Sequence, residues 1–114
     1  MLEDDDRHPI ASVNRLDLVA QRRTGGAELV ILIAQPLQAD EQSKQRLMTK
    51  IENYLGFILS DEFAQEFGPP DPSTAAIRVK IHKDSDPIIF DILQRCGPWA
   101  NDNKASLVVD AGLG

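Results

Sequence analysis

An α+β fold is predicted by three features of this sequence: a two-layer sandwich in which a four-stranded sheet carries two helices on one face, in the order β-β-α-β-α-β. Leu29-Val30-Ile31-Leu32-Ile33-Ala34 is an unbroken apolar run of strand length. Successive strand side chains point to opposite sides, so both faces of such a strand need cover. Leu47, Met48, Ile51, Tyr54, Leu55 and Ile58 recur at the spacing of one helical face. Ile77, Val79 and Ile81 alternate with Arg78, Lys80 and His82, the period of a strand buried on one side.

Size and composition agree with a single domain. The chain has 114 residues, 42% of them hydrophobic and 26% charged, which is ordinary for a globular protein. A chain of this mass exposes roughly 18,000 Å² unfolded and about 6,200 Å² folded, enough burial for one core. The formal charge of -6 is concentrated at the start, because Glu3, Asp4, Asp5 and Asp6 carry four negative charges and leave the remainder nearly neutral. Residues 1–9 are therefore expected to form a flexible acidic leader, and residues 10–114 the single α+β domain. Phosphate recognition needs clustered Lys and Arg. Arg22-Arg23 is the one adjacent basic pair, so no nucleic-acid partner is expected. No apolar stretch has the length of a membrane span and no basic, then apolar, signal opens the chain, so no membrane partner and a cytoplasmic location are expected. Cys96 is the sole cysteine and cannot form an intrachain disulfide.

The elements follow in order. Val13 to Arg22 reads as the first strand, and Gly25-Gly26 as a hairpin turn, since glycine tolerates positive φ. The Leu29–Ala34 strand returns antiparallel and is ended by Pro36. Asp40 is placed to cap the first helix, with Glu41 favourably sited in its first turn. Phe63 and Phe67 extend that helix briefly before Gly68-Pro69-Pro70 stops it. The third strand covers Ile77–His82. Asp86-Pro87 then opens a second helix that is expected to end at Gly97, with Pro98 blocking its continuation. Ser106–Asp110 makes the fourth strand, parallel to the third if both lie in one sheet.

Two phrases carry a resemblance. Asn14-Arg15-Leu16-Asp17-Leu18-Val19-Ala20, leading into the glycine turn, and Leu47-Met48-Thr49-Lys50-Ile51-Glu52-Asn53-Tyr54-Leu55-Gly56-Phe57-Ile58 resemble a family of small bacterial proteins of unknown function. That family pairs a strand of this type with a helix bearing a "Leu-x-x-Lys-Ile/Leu-x-x-Tyr-Leu-x-Phe-Ile" phrase. The resemblance implies a bacterial cytosolic α+β domain and no particular activity.

The chemistry-bearing residues are sparse. His82, Asp84 and Asp86 stand close enough in sequence to suggest a cation site, as do Asp4, Asp5 and Asp6 with His8. Asp86 is more economically a helix cap and the second group a solvated tail, so no metal, cofactor or catalytic residue is assigned. Asp17 and Asp110 lie in apolar strand settings, either as edge charges or as inward carboxylates. Cys96 falls on the apolar helix face. No phosphate loop, catalytic triad order or Cys/His ligand spacing is present. The expected function is accordingly that of a non-enzymatic protein–protein interaction module, a homodimer or a partner of another protein, joined at a sheet face formed by Leu29, Val30, Ile31, Leu32 and Ile33. One alternative is a small enzyme or ligand-binding protein with a pocket near Tyr54, His82, Asp84 and Trp99. The other is a toxin-neutralising, immunity-type partner.

Overall fold

The chain doubles back at Gly25-Gly26, as the sequence leads one to expect. In the computed structural model, which describes residues 3–114, this turn joins β1 (Leu18–Gln21) to β2 (Ala27–Ile33) as an antiparallel pair with Leu18 opposite Val30. Gly25 and Gly26 have φ of 96° and 85°, a region that costs other residues. A Cβ on Gly26 would lie 2.0 Å from the carbonyl oxygen of Thr74, so close backbone approach also demands glycine there.

The first strand is shorter than the Val13–Arg22 run expected, for a local reason. Before Leu18 the edge of β2 is served by side chains. The Asp17 carboxylate accepts the Leu32 N–H at 3.0 Å, and the Tyr54 hydroxyl donates to the Val30 carbonyl at 3.2 Å. Residues 13–17 are thereby released from the ladder, and Val13 turns into the core.

Helix α1 (Glu41–Ile58) begins where Asp40 accepts the Ser43 N–H at 2.7 Å. A separate helix, α2 (Asp61–Phe67), follows, with Ser60 in extended conformation as its cap. The expected continuation of the first helix is thus a third helix, and the two-helix count is corrected to three. Its Phe63 ring meets Phe57 edge-on at 5.9 Å and Phe67 at 5.0 Å. Strand β3 (Ala75–His82) then pairs parallel to β2, α3 (Pro87–Asp102) follows, and β4 (Ser106–Leu113) pairs parallel to β3. The result is a four-stranded mixed sheet of order β1-β2-β3-β4 with three helices in an α+β arrangement.

Helix α3 departs from expectation at its end. It starts as foreseen, with Asp86 accepting the Ile88 N–H and Pro87 in the first turn. It does not stop at Gly97, however, and Pro98 lies inside it. A proline there removes one helical hydrogen bond. The last turn is held instead by tertiary and capping contacts: Ala100 is fully buried, Asn103 Nδ2 donates to the Trp99 carbonyl, and the Ala105 N–H returns to Ala100. The left-handed residue that reverses the chain is Lys104, at φ 64°, and not Gly97.

One core gathers alternate strand residues Leu29, Ile31, Ile33, Ile77, Val79 and Ile81 with helix residues Leu47, Ile51, Leu55, Ile58, Ile89 and Leu93. The folded surface of 6544 Å² is close to that expected from chain length. The leader is drawn into this body over its described part. Arg46, itself buried, donates from its guanidinium to the carbonyls of Glu3, Ile10 and Ala11 at 2.8, 2.7 and 2.9 Å. His8 Nε2 lies 2.9 Å from Ser43 Oγ, and Ile10 is buried. Residues 3–9 are therefore tied to α1, whereas a solvated leader was expected: a buried guanidinium needs acceptors, and this segment supplies them. Among the described residues, no helix is long and apolar enough to cross a membrane.

Candidate functional site

The residues singled out from sequence do not converge. Tyr54 stands on α1 with its hydroxyl between the Asp17 N–H and the Val30 carbonyl, and burial pushes its pKa up to about 12. It borders a cavity of about 210 Å³ with Val13, Asn14, Leu16, Asn53 and Phe57. Trp99 borders a different groove of about 370 Å³, between α1 and α3, with Met48, Ile92, Arg95 and Cys96. His82 ends β3 and takes the Asp84 N–H on Nδ1 at 3.0 Å, with the Asp84 carboxylate 3.9 Å away. The expectation of one pocket near Tyr54, His82, Asp84 and Trp99 is corrected accordingly, because the first and last face different cavities and the middle pair sits beyond both. Asp86 is occupied as the cap of α3, and no group of three His, Cys, Asp or Glu able to hold a metal occurs among the described residues. Cys96 lies in the core, and burial pushes its thiol pKa up, away from nucleophilic use.

The five residues expected at an interface divide by strand alternation. Leu29, Ile31 and Ile33 face the core and are fully buried, so they are removed from any interface. Val30 and Leu32 point the other way, in register with Leu18 on one side and with Arg78 and Lys80 on the other. Val30 is only 3% exposed, sunk among these longer neighbours, while Leu32 is 42% and Leu18 50% exposed. The same face carries Glu28, Arg78 and Asp110. Arg78 Nε meets Glu28 at 2.8 Å, its other arm lies 3.9 Å from Asp110, and Arg22 is 3.9 Å from Glu28. This face is thus a mosaic of paired charge and isolated leucines, and the continuous apolar patch expected from the Leu29–Ala34 run is absent. The reason is that β3 turns Arg78 and Lys80 to this face beside Val30 and Leu32, which the run itself does not reveal.

A buried polar cluster is the feature that sequence reasoning missed. Lys50, 2% exposed, donates to the Ser12 carbonyl at 2.7 Å and to Asp17 at 2.9 Å. It lines an open cleft of about 340 Å³ with Asp17, Leu32, Ser12 and Arg15. The signal was available in helical phase, since Arg46, Lys50 and Tyr54 are spaced four apart along one flank of the apolar stripe. Every buried side-chain nitrogen and oxygen among the described residues has a partner, so this cluster is a satisfied strut that fastens residues 12–17 to α1 and β2.

Comparison of the chain with protein-family models, with curated proteins and with solved structures finds no match. The two phrases resembling a bacterial family consequently bring no activity to these residues. Among the described side chains, His8 and Ser43 form a hydrogen-bonded pair at the start of α1, and Leu18 and Leu32 are the half-exposed apolar side chains of the outer sheet face.

Proposed function

We propose that this protein is a non-enzymatic interaction module that works as a homodimer. The reading rests on one observation above the others: Leu18 and Leu32 stand half exposed on a sheet face whose opposite side supplies the core. The crossovers from β2 to β3 and from β3 to β4 step in the same direction. Crossovers of the usual right hand would then stack their helices on one face and leave the other open. A cytoplasmic setting fits this reading, since the lone cysteine is a core residue.

Molar mass in solution tests it. Light scattering on the full chain at tens to hundreds of micromolar is expected to give twice the 12.6 kDa chain mass. A mass of one chain throughout that range removes the homodimer.

A further inference from the structure

The two edges of the sheet are built differently, and the difference points to where two copies join. β1, at one edge, has four residues, and charged Asp17 and Arg22-Arg23 flank it. Short length and charge are the usual protections of an edge strand. β4, at the other edge, runs for eight residues, Ser106-Leu107-Val108-Val109-Asp110-Ala111-Gly112-Leu113, with a single charge and no Lys, Arg or Pro. In a parallel ladder, alternate residues turn their N–H and C=O groups away from the neighbouring strand. Those of β4 that turn away from β3 have no backbone partner among the described residues.

A second observation falls on the same strand. Val109 is in register with Val79, so its side chain lies on the core side of the sheet, yet it is 36% exposed while Val79 is fully buried. The cover of the core therefore thins out along β4. An apolar core-side residue at an unpaired edge is what a strand added alongside would bury.

We infer that β4 pairs antiparallel with β4 of a second copy about a twofold axis through Val108, extending the sheet to eight strands. This rests on the homodimer reading above but places the junction at the β4 edge and not on the Leu18 and Leu32 face. The segment is its own complement in that register. Val108 meets Val108, Leu107 meets Val109, and Asp110 meets Ser106, so that each apolar residue faces an apolar one and the carboxylate faces a hydroxyl. The two carboxylates stay at opposite ends. The central Val108 pair is flanked on each side by a Leu107–Val109 pair, and in an antiparallel ladder such pairs alternate between the hydrogen-bonded and the non-hydrogen-bonded kind. The shift in register near Lys80 and His82, where the Asp110 side chain folds back to the Gly112 N–H at 3.0 Å, ends the pairing after Asp110. Five residues a side lie well below the roughly 20–30 of a standard specific interface, so the dimer is expected to be weak and to form only as concentration rises.

Sedimentation of the full chain and of three variants tests the junction. The parent is expected to double in mass with rising concentration. Val109→Lys places a charge on the edge and is expected to abolish the doubling while leaving the circular dichroism unchanged. Leu32→Asp, on the sheet face, is expected to keep it. Val108→Cys brings two thiols together at the central pair, where Cβ atoms are close enough for a disulfide, and is expected to give a covalent dimer on mild oxidation. A parent that doubles in mass, persists as a dimer with Val109→Lys and fails to cross-link through Val108→Cys overturns the β4 junction and leaves the homodimer standing. A parent that never doubles overturns both. If Val109→Lys fails to fold, the Val108→Cys cross-link alone decides.

Discussion

Lys50 does at the residue scale what no apolar side chain could. Its ammonium holds the Ser12 carbonyl and one Asp17 oxygen, and the other Asp17 oxygen holds the Leu32 N–H, so a single buried charge determines where β1 stops pairing with β2. Removing one partner of a buried pair strands the other, which typically costs about 3–5 kcal/mol. Lys50→Met is expected to lose that much, whereas Lys50→Met combined with Asp17→Asn is expected to lose less than the two single changes added together. Chemical denaturation of the four proteins measures the coupling, and strict additivity would show that the pair is not energetically joined. His8 makes a second case. Burial lowers its pKa below 6.5, with the nearby Arg46 charge acting in the same sense. The folded protein thus prefers the neutral ring, whose Nδ1 accepts the Ile10 N–H at 2.9 Å. A depressed histidine contributes stability that is complete above pH 6.5 and is lost as pH falls through the folded pKa. The melting temperature is expected to fall with acidification below pH 6.5, and the slope to flatten in His8→Ala. Neither position is legible in the sequence. A lysine between apolar positions reads as solvent-facing and a histidine among aspartates as part of a tail, and only tertiary partners, Ser12 and Asp17 for the lysine and Ser43 for the histidine, reverse those readings.

At the scale of elements, the strongest local rules were legible. Asp40 and Asp86 cap their helices, the Gly25-Gly26 pair turns the hairpin, and the alternation over Ile77–His82 is that of β3. The failures occur where long-range contact outweighs local preference. Pro98 should end a helix, but burial of Ala100 and the Asn103 side-chain bond to Trp99 hold one more turn beyond it. Ser60 should be passable within a longer helix, but its side chain caps Phe63 and starts α2 afresh. If Pro98 is tolerated at a cost, its removal should return that cost. Pro98→Ala restores an N–H to the interior of α3 at an exposed position and is expected to raise stability by about 1–3 kcal/mol. A thermal melt checks this. A variant less stable than the parent would mean that the proline ring itself packs usefully against the last turn.

For the whole molecule, the strands and the α+β arrangement could be read from periodicity, because the apolar run of β2 and the alternation of β3 are properties of contiguous residues. The site could not, since its determinants are juxtapositions: Arg78 beside Glu28 from fifty residues away, Asp17 under Lys50, and the exposure of Val109 at an edge. The packing of residues 3–11 is the largest such juxtaposition and alters how the domain should be bounded. Three carbonyls of this segment satisfy the buried Arg46 guanidinium, and Ile10 adds a fully buried side chain to the core. Hydrogen bonds to a charged group contribute roughly 1.5–3 kcal/mol each, and burial of one isoleucine about 1.5–3 kcal/mol. Against a total stability of about 5–15 kcal/mol for a domain of this size, losing all of them together is decisive. Deleting residues 1–11 is therefore expected to leave a chain that melts far below the parent or does not fold. By comparison, Leu55→Ala in the centre of α1 costs about 2–5 kcal/mol and leaves a folded protein. Urea denaturation of the two variants ranks them. A deletion variant as stable as the parent would show that Arg46 finds other acceptors and that the domain begins after Ala11; one less stable than Leu55→Ala establishes residues 3–11, taken together, as part of the fold.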